Sequence, residues 1–130
     1  MIEANIDLSH YKTIIQNHQH QIIADEPQEL GGENLGFSPY ELLESALGAC
    51  TSITLRMYAD RKQWDLKAVK VKVNLQKNAD NTTTIKREIA LKGNLDEVQK
   101  ERLFSVANAC PVHKVLSNPI SLETSWLTTL

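Results

Sequence analysis

The segment from Ser38 to about Arg61 constrains this chain more than any other. Ser38 is placed to cap a helix. Pro39 suits the first helical position, where a missing N–H costs nothing, and Glu41, three residues after the cap, completes a capping box. From Leu42 to Met57, apolar or small residues fall on nearly every side of the predicted helix, the pattern of a helix enclosed by its fold rather than lying on the surface. A chain of 130 residues with 42% hydrophobic residues can build one core. The expectation is therefore a single domain over residues 1–130, organised around this helix.

The flanking sequence supplies sheet. Met1 to Ser9, Tyr11 to Asn17 and His20 to Asp25 read as short strands with polar breaks, followed by a Pro- and Gly-rich loop from Asp25 to Gly36. That loop lacks the Lys-Ser/Thr ending of a phosphate loop and reads as a connector. Val69, Val71, Val73 and Leu75 alternate with Lys70, Lys72 and Asn74. Ile85, Ile89 and Leu91 repeat the alternation after the turn Asn78-Ala79-Asp80-Asn81, which predicts a half-buried antiparallel hairpin. Asn94 and Glu97 are read as a cap pair for a helix to about Ala107 whose apolar side is Leu95, Val98, Leu103, Val106 and Ala107. A short helix from Pro111 should stop before Asn118-Pro119, and Ile120 to Leu127 reads as a closing strand. Grouped rather than alternating strands and helices argue for an α+β fold.

Charge narrows the partners. The formal charge of -2 is spread over interspersed acids and bases, so no basic stripe is available for nucleic acid. No stretch approaches the ~20 apolar residues of a membrane helix, and no leader pattern opens the chain. The expectation is a cytoplasmic protein that binds neither nucleic acid nor membrane. In a reducing compartment two cysteines suggest free thiols, a transient disulfide or a metal site.

Those two cysteines occupy different settings. Cys110 directly precedes Pro111, at the start of the short helix, where unpaired N–H groups and the helix dipole favour a thiolate, and His113 and Lys114 lie in the same turn. Cys50 lies near the middle of the long helix. At ~100° per residue, Leu43, Ala46, Thr54, Met57 and Arg61 share its face, while Glu41 falls opposite and is assigned to capping. One thiol tuned as attacker and the other as partner is what a two-cysteine redox enzyme needs. Against this stands inert core filling by Cys50, the commoner use of an apolar-helix cysteine. A metal site from Cys50, Cys110 and His113 lacks a short Cys-x-x-Cys pair, so no metal is expected. No Gly-x-Ser-x-Gly elbow supports hydrolysis.

Three stretches together resemble the OsmC/Ohr family of osmotically inducible and organic hydroperoxide resistance proteins. They are Gly31-Gly32-Glu33-Asn34-Leu35-Gly36-Phe37-Ser38-Pro39-Tyr40-Glu41-Leu42-Leu43, Leu47-Gly48-Ala49-Cys50-Thr51 and Cys110-Pro111-Val112-His113-Lys114. The resemblance implies an intertwined homodimer with two long central helices wrapped by antiparallel β-sheets and an active site at each subunit interface. It implies that Cys50 attacks an organic hydroperoxide and that Cys110 resolves the sulfenic acid, with an external dithiol as reductant and no bound cofactor. Leu43, Leu47, Ile53 and Met57 are then the expected apolar pocket.

The chain departs from the family pattern at the thiolate-activating pair. Active members carry an arginine in the N-terminal strands and a glutamate just after the motif proline. Here no arginine precedes Arg56, and Tyr40 holds the glutamate position, with Glu41 one residue later. The activating groups would come from His113, Arg87, Arg61, Glu41 or Lys12. The alternative is a family member without efficient peroxidase activity, a dimer that binds a small hydrophobic ligand or senses redox state.

Overall fold

A computed structural model describes residues 1–128 of the chain. In order it contains strands β1 (Glu3–Ile6), β2 (Thr13–Gln16) and β3 (Gln21–Ala24), a 3-10 turn (Gln28–Leu30), helix α1 (Pro39–Lys62), strands β4 (Asp65–Lys77) and β5 (Thr83–Asn94), and helices α2 (Glu97–Ala107) and α3 (Pro111–Ser117). This is the expected α+β order. The chain divides into two compact units, one formed by Met1–Gly48 with Lys72–Glu88, the other by Ala49–Val71 with the chain from Ile89 onward.

In the first unit, β1, β2 and β3 form an antiparallel meander. Ile14 pairs with both Asn5 and Ile23, and Gln16 pairs with Glu3 and Gln21. The strands are shorter than the sequence suggested, because polar turns at either end take their backbone groups out of the ladder. The loop after β3 is held by one buried carboxylate. Asp25 accepts hydrogen bonds from the backbone N–H groups of Tyr11 (3.0 Å), Glu26 (2.8 Å), Glu33 (3.2 Å) and Leu35 (3.1 Å). Burial opposes its ionisation, yet the N–H groups of Leu35, Tyr11, Glu26 and Glu33 outweigh that and hold its carboxyl below the usual carboxylate range. Gly36 passes so close to β3 that a Cβ there would lie 2.0 Å from the Ile23 carbonyl oxygen. That close approach accompanies the parallel bridge from Ala24 to Phe37 and delivers the chain to the start of α1.

Ser38 starts α1 as its sequence predicts. Its Oγ accepts the Glu41 N–H at 3.3 Å and donates to the Glu41 carboxylate at 3.0 Å. Further along the same unit, Gly48 admits Val73, whose Cγ2 would sit 3.5 Å from an added Cβ, and the Glu44 carboxylate accepts the Leu75 N–H at 2.7 Å. The inward residues of β4 and β5 follow the predicted alternation: Val69, Val71, Val73, Leu75, Ile85, Arg87, Ile89 and Leu91 are half-buried, and their neighbours in sequence are exposed.

The second unit has an apolar core of Leu55, Ala59, Leu66, Leu95, Leu103 and Ala107, with Tyr58, Trp64, Val69, Ile89, Leu91 and Val106 packed around it. Leu55 and Leu103 are fully buried, each contributing roughly 1.5–3 kcal/mol of apolar transfer. The cap of α2 differs from the expected Asn94–Glu97 pair. Asp96 is the N-cap, accepting the Gln99 N–H at 2.8 Å, while Gln99 Oε1 accepts the Asp96 N–H at 3.0 Å. Asn94 still belongs to β5, where its N–H is taken by Asp65, so it has no freedom to cap. Val98, expected on the apolar side, is 76% exposed.

Two further expectations need correction. Ile120 to Leu127 forms no strand, because among the described residues no neighbouring strand offers it a ladder; Leu122 and Trp126 stand 88% and 98% exposed. Nor is α1 enclosed on every side. Leu47, Thr51, Leu55 and Ala59 form a buried row, while Leu43, Ala46, Ile53 and Met57 are exposed.

Candidate active site

Both thiols belong to the second unit, and both are reduced. Cys50 sits on α1, one residue past Ala49, and is partly exposed. Its Sγ lies 4.0 Å from Thr54 Oγ1, one helical turn on. Cys110 is the N-cap of α3, in extended conformation (φ -65°, ψ 148°), as its position before Pro111 predicts. Its Sγ accepts the His113 backbone N–H at 3.4 Å. The residue is fully buried, and Thr51 Oγ1 lies 3.8 Å from the sulfur.

Thr51 makes this arrangement informative. It follows Cys50 in α1, is itself fully buried, and touches the Cys110 sulfur. The helix therefore turns adjacent residues toward different surroundings: Thr51 toward the buried cap sulfur, Cys50 about 100° away toward a partly exposed face. A reagent from solvent meets Cys50 first. Cys110 is shielded, and its sulfur is held by a backbone donor at the start of α3. Sequence reasoning put Cys50 on the long helix and Cys110 at the start of the short one, but took Cys50 for the enclosed thiol, whereas Cys110 is the fully buried one and Cys50 is partly exposed. It also missed Thr51 beside the Cys110 sulfur; a contact 59 residues apart leaves no local signal.

The other candidate residues are divided between the two units. His113 contributes its backbone N–H to Cys110, and its ring is half-buried. Glu41 is engaged by Ser38 at the start of α1, consistent with the capping role. Arg61 shares the Cys50 face by angle, but eleven residues of helix are about 16 Å, and its guanidinium stacks on Tyr58 with Cζ 5.9 Å from the ring centre. Arg87 is half-buried on the inward side of β5 and belongs to the first unit. Lys12, at the entrance to β2, belongs to that unit too. Tyr40, at the position where the glutamate was expected, faces the Lys77 ammonium 5.5 Å from its ring centre. Of the proposed pocket, Leu43, Ile53 and Met57 are 45%, 58% and 61% exposed, whereas Leu47 is buried. Leu47 thus flanks Cys50 on the buried side of α1, about a third of a turn from Ile53, which flanks it on the exposed side.

The first unit holds a cleft of about 820 Å³ lined by Ile22, Ile23, Leu35, Phe37, Glu41 and Leu42, among others, and the second a cleft of about 400 Å³ lined by Leu55, Ile89, Leu91, Lys100, Leu103 and Phe104. Neither is lined by a cysteine. Among the described residues no group of three His, Cys, Asp or Glu side chains could hold a metal ion, and no helix is long and apolar enough to cross a membrane.

Comparison with known proteins gives a consistent answer. The family model described as OsmC-like protein matches residues 31–125. The fold is similar to an OsmC-like protein from Mycoplasma pneumoniae at 23% identity, covering 89% of this chain and 85% of that one with a TM-score of 0.75. It is also similar to an organic hydroperoxide resistance protein OsmC from Legionella pneumophila (19% identity, 90% and 88% coverage, TM-score 0.65). A third similar structure is the organic hydroperoxide resistance protein OhrB of Bacillus subtilis (18% identity, 90% and 89% coverage, TM-score 0.62). Among curated protein sequences there is no match.

Proposed function

The chain belongs to the OsmC-like protein family, and from that membership and the setting of its two thiols we propose that it is a thiol-dependent peroxidase that reduces organic hydroperoxides. The observation that carries this reading is the division between a partly exposed Cys50 and a buried, N–H-capped Cys110 joined through Thr51 within one compact unit. Relatives of the same fold are named for organic hydroperoxide resistance.

The cycle follows from thiol chemistry. The Cys50 thiolate attacks the outer oxygen of R–OOH; an S–O bond forms, the O–O bond breaks, and the alkoxide leaves and takes a proton as ROH. Sulfur is oxidised to Cys50–SOH and the peroxide is reduced. The Cys110 sulfur then attacks the sulfenic sulfur, forming the disulfide and releasing water. An external dithiol reopens the disulfide by two thiol–disulfide exchanges and is itself oxidised. Capture by Cys110 stops Cys50 short of irreversible sulfinic acid. Exposed Leu43, Ile53 and Met57 on the Cys50 face would favour an apolar R group over hydrogen peroxide.

A homodimer belongs to this proposal. Leu43, Ala46, Cys50, Ile53 and Met57 recur along α1 at the alternating three- and four-residue spacing of a helix–helix seam, and all but the partly exposed Cys50 are exposed in the single chain. A second α1 laid on that stripe would enclose Cys50 and complete a cleft around it. Ile120 to Leu127, exposed and without a strand partner among the described residues, has the apolar alternation to add to a sheet of the partner.

A second reading, a dimer that binds an apolar ligand or senses oxidants without efficient turnover, is favoured by one observation: the Glu41 carboxylate is occupied by Ser38. Turnover of an organic hydroperoxide with a dithiol reductant separates the two. The peroxidase reading predicts steady consumption, abolished by Cys50→Ser and reduced to a few turnovers by Cys110→Ser with Cys50 ending as sulfinic acid. Stoichiometric oxidation without turnover in the unaltered protein selects the sensor.

A further inference from the structure

Three cationic side chains meet around one phenol at the far end of α1. Arg102, from α2, donates its Nε–H to the Tyr58 hydroxyl oxygen at 2.8 Å. Its Cζ, the Arg61 Cζ and the Lys62 Nζ stand 5.5, 5.9 and 5.8 Å from the Tyr58 ring centre. Arg61 and Lys62 follow Tyr58 by three and four residues and so flank it on the helix surface. Among the described residues no carboxylate forms an ion pair with any of the three. The hydrogen bond from Arg102 lowers the Tyr58 phenol from its ordinary range against the effect of burial, and the charges of Arg102, Lys62 and Arg61 add to it.

The cations of the last helical turn complement the carbonyl end of α1, which accounts for Arg61 and Lys62. It does not account for Arg102, which another helix brings to the same ring. Converging like charges with no built-in counter-ion favour an anion from solution, and guanidinium groups suit oxygen pairs of carboxylates and phosphates.

We propose that Tyr58, Arg61, Lys62 and Arg102 form an anion-binding site that takes the oxyanion head of a small organic ligand, a carboxylate or a phosphate group. Tyr58 follows Cys50 by eight residues, about 12 Å along the axis of α1, within reach of an elongated ligand engaged at the thiol. The site does not depend on peroxidase chemistry, so its test can fail while that reading stands.

Trp64 supplies the readout, its ring lying edge-on 5.5 Å from that of Tyr58. In a Trp126→Phe background, where Trp64 is the sole tryptophan, the full chain is titrated at low ionic strength with inorganic phosphate, with octanoate and with chloride. The expected result is a saturable change in Trp64 emission with at least one of the two oxyanions, far below the concentration at which chloride acts. Saturation by phosphate alone assigns a phosphate-bearing ligand; saturation by octanoate alone assigns a carboxylate. Arg102→Gln should weaken binding about tenfold and Tyr58→Phe, which keeps the ring and loses only the hydroxyl, severalfold. Arg56→Gln, a charge lost outside the cluster, and Cys50→Ser should leave it unchanged. Responses equal to that of chloride, no saturable response, or unchanged affinity in folded Arg102→Gln and Tyr58→Phe proteins would overturn the proposal.

Discussion

The two faces of α1 are equally apolar in composition but differ in what covers them. One presents Leu47, Thr51, Leu55 and Ala59, all buried; the other presents Leu43, Ala46, Cys50, Ile53 and Met57, exposed or only partly covered. The first face meets the chain's own residues, including the Cys110 cap sulfur at Thr51. The second has no comparable cover and carries the accessible thiol. Stability and chemistry are therefore separated by about a third of a turn of one helix, and substitutions on the two faces should fail in different ways.

The largest difference should appear in folding. Leu55→Ala removes a fully buried side chain from the core and should cost about 2–5 kcal/mol in denaturant unfolding. Ile53→Ala, two residues away on the exposed face, should cost no more than about 0.5 kcal/mol in dilute protein, where chains are separate. Equal losses at every protein concentration would erase the contrast. Self-association sharpens it from the other side. Met57→Lys places a charge on the proposed seam and should weaken dimerisation about tenfold or more in sedimentation equilibrium, while leaving the far-ultraviolet spectrum intact. An unaltered association constant would move the dimer contact elsewhere.

This contrast was not legible in the sequence, although much of the surrounding fold was, and the reasons are physical. Ser38, Pro39 and Glu41 predict the start of α1 because capping is decided within four residues, and Asn118-Pro119 predicts the end of α3 for the same reason. The alternation of β4 and β5 survives because a side chain's direction in a strand is fixed by its place in sequence. Ile120 to Leu127 has similar alternation and no strand, since a ladder needs a partner that no local pattern can supply. The same limit applies to α1, where apolar residues all round predicted enclosure and one chain encloses one face. Cys50 and Cys110 were identifiable from their surroundings and motifs, whereas Thr51 entered only through a long-range contact. Arg61 shares the Cys50 face by angle but lies about three turns along the helix, beside Tyr58. The Asp25 knot also escaped notice: its four N–H donors come from both sides of the loop.

Two smaller effects probe the buried side. Thr51→Val removes the hydroxyl beside Cys110 and should slow disulfide formation from Cys50–SOH about two- to tenfold, with Thr51→Ser restoring it, in stopped-flow oxidation. A change in folding alone, without a change in that rate, would make Thr51 purely structural. In the first unit, Asp25 has a lowered folded pKa, so its contribution is present above its unfolded value of about 3.9 and is lost as pH falls through the folded value. The stability gap between the unaltered protein and Asp25→Asn should therefore be full at neutral pH and close below about pH 3.9. A gap that persists unchanged below that pH would show that the contribution of Asp25 does not depend on its charge, and no gap at any pH would show that the amide serves the same N–H groups as well as the carboxylate.

The most direct test treats reduced protein with one equivalent of an organic hydroperoxide and follows the cysteine-containing peptides by mass spectrometry under non-reducing conditions. The two faces of α1, acting as described, predict rapid loss of both thiols and a single peptide pair joined through Cys50 and Cys110, absent in Cys50→Ser. Persistence of both thiols, or oxidation that begins at buried Cys110 and survives Cys50→Ser, would contradict the account.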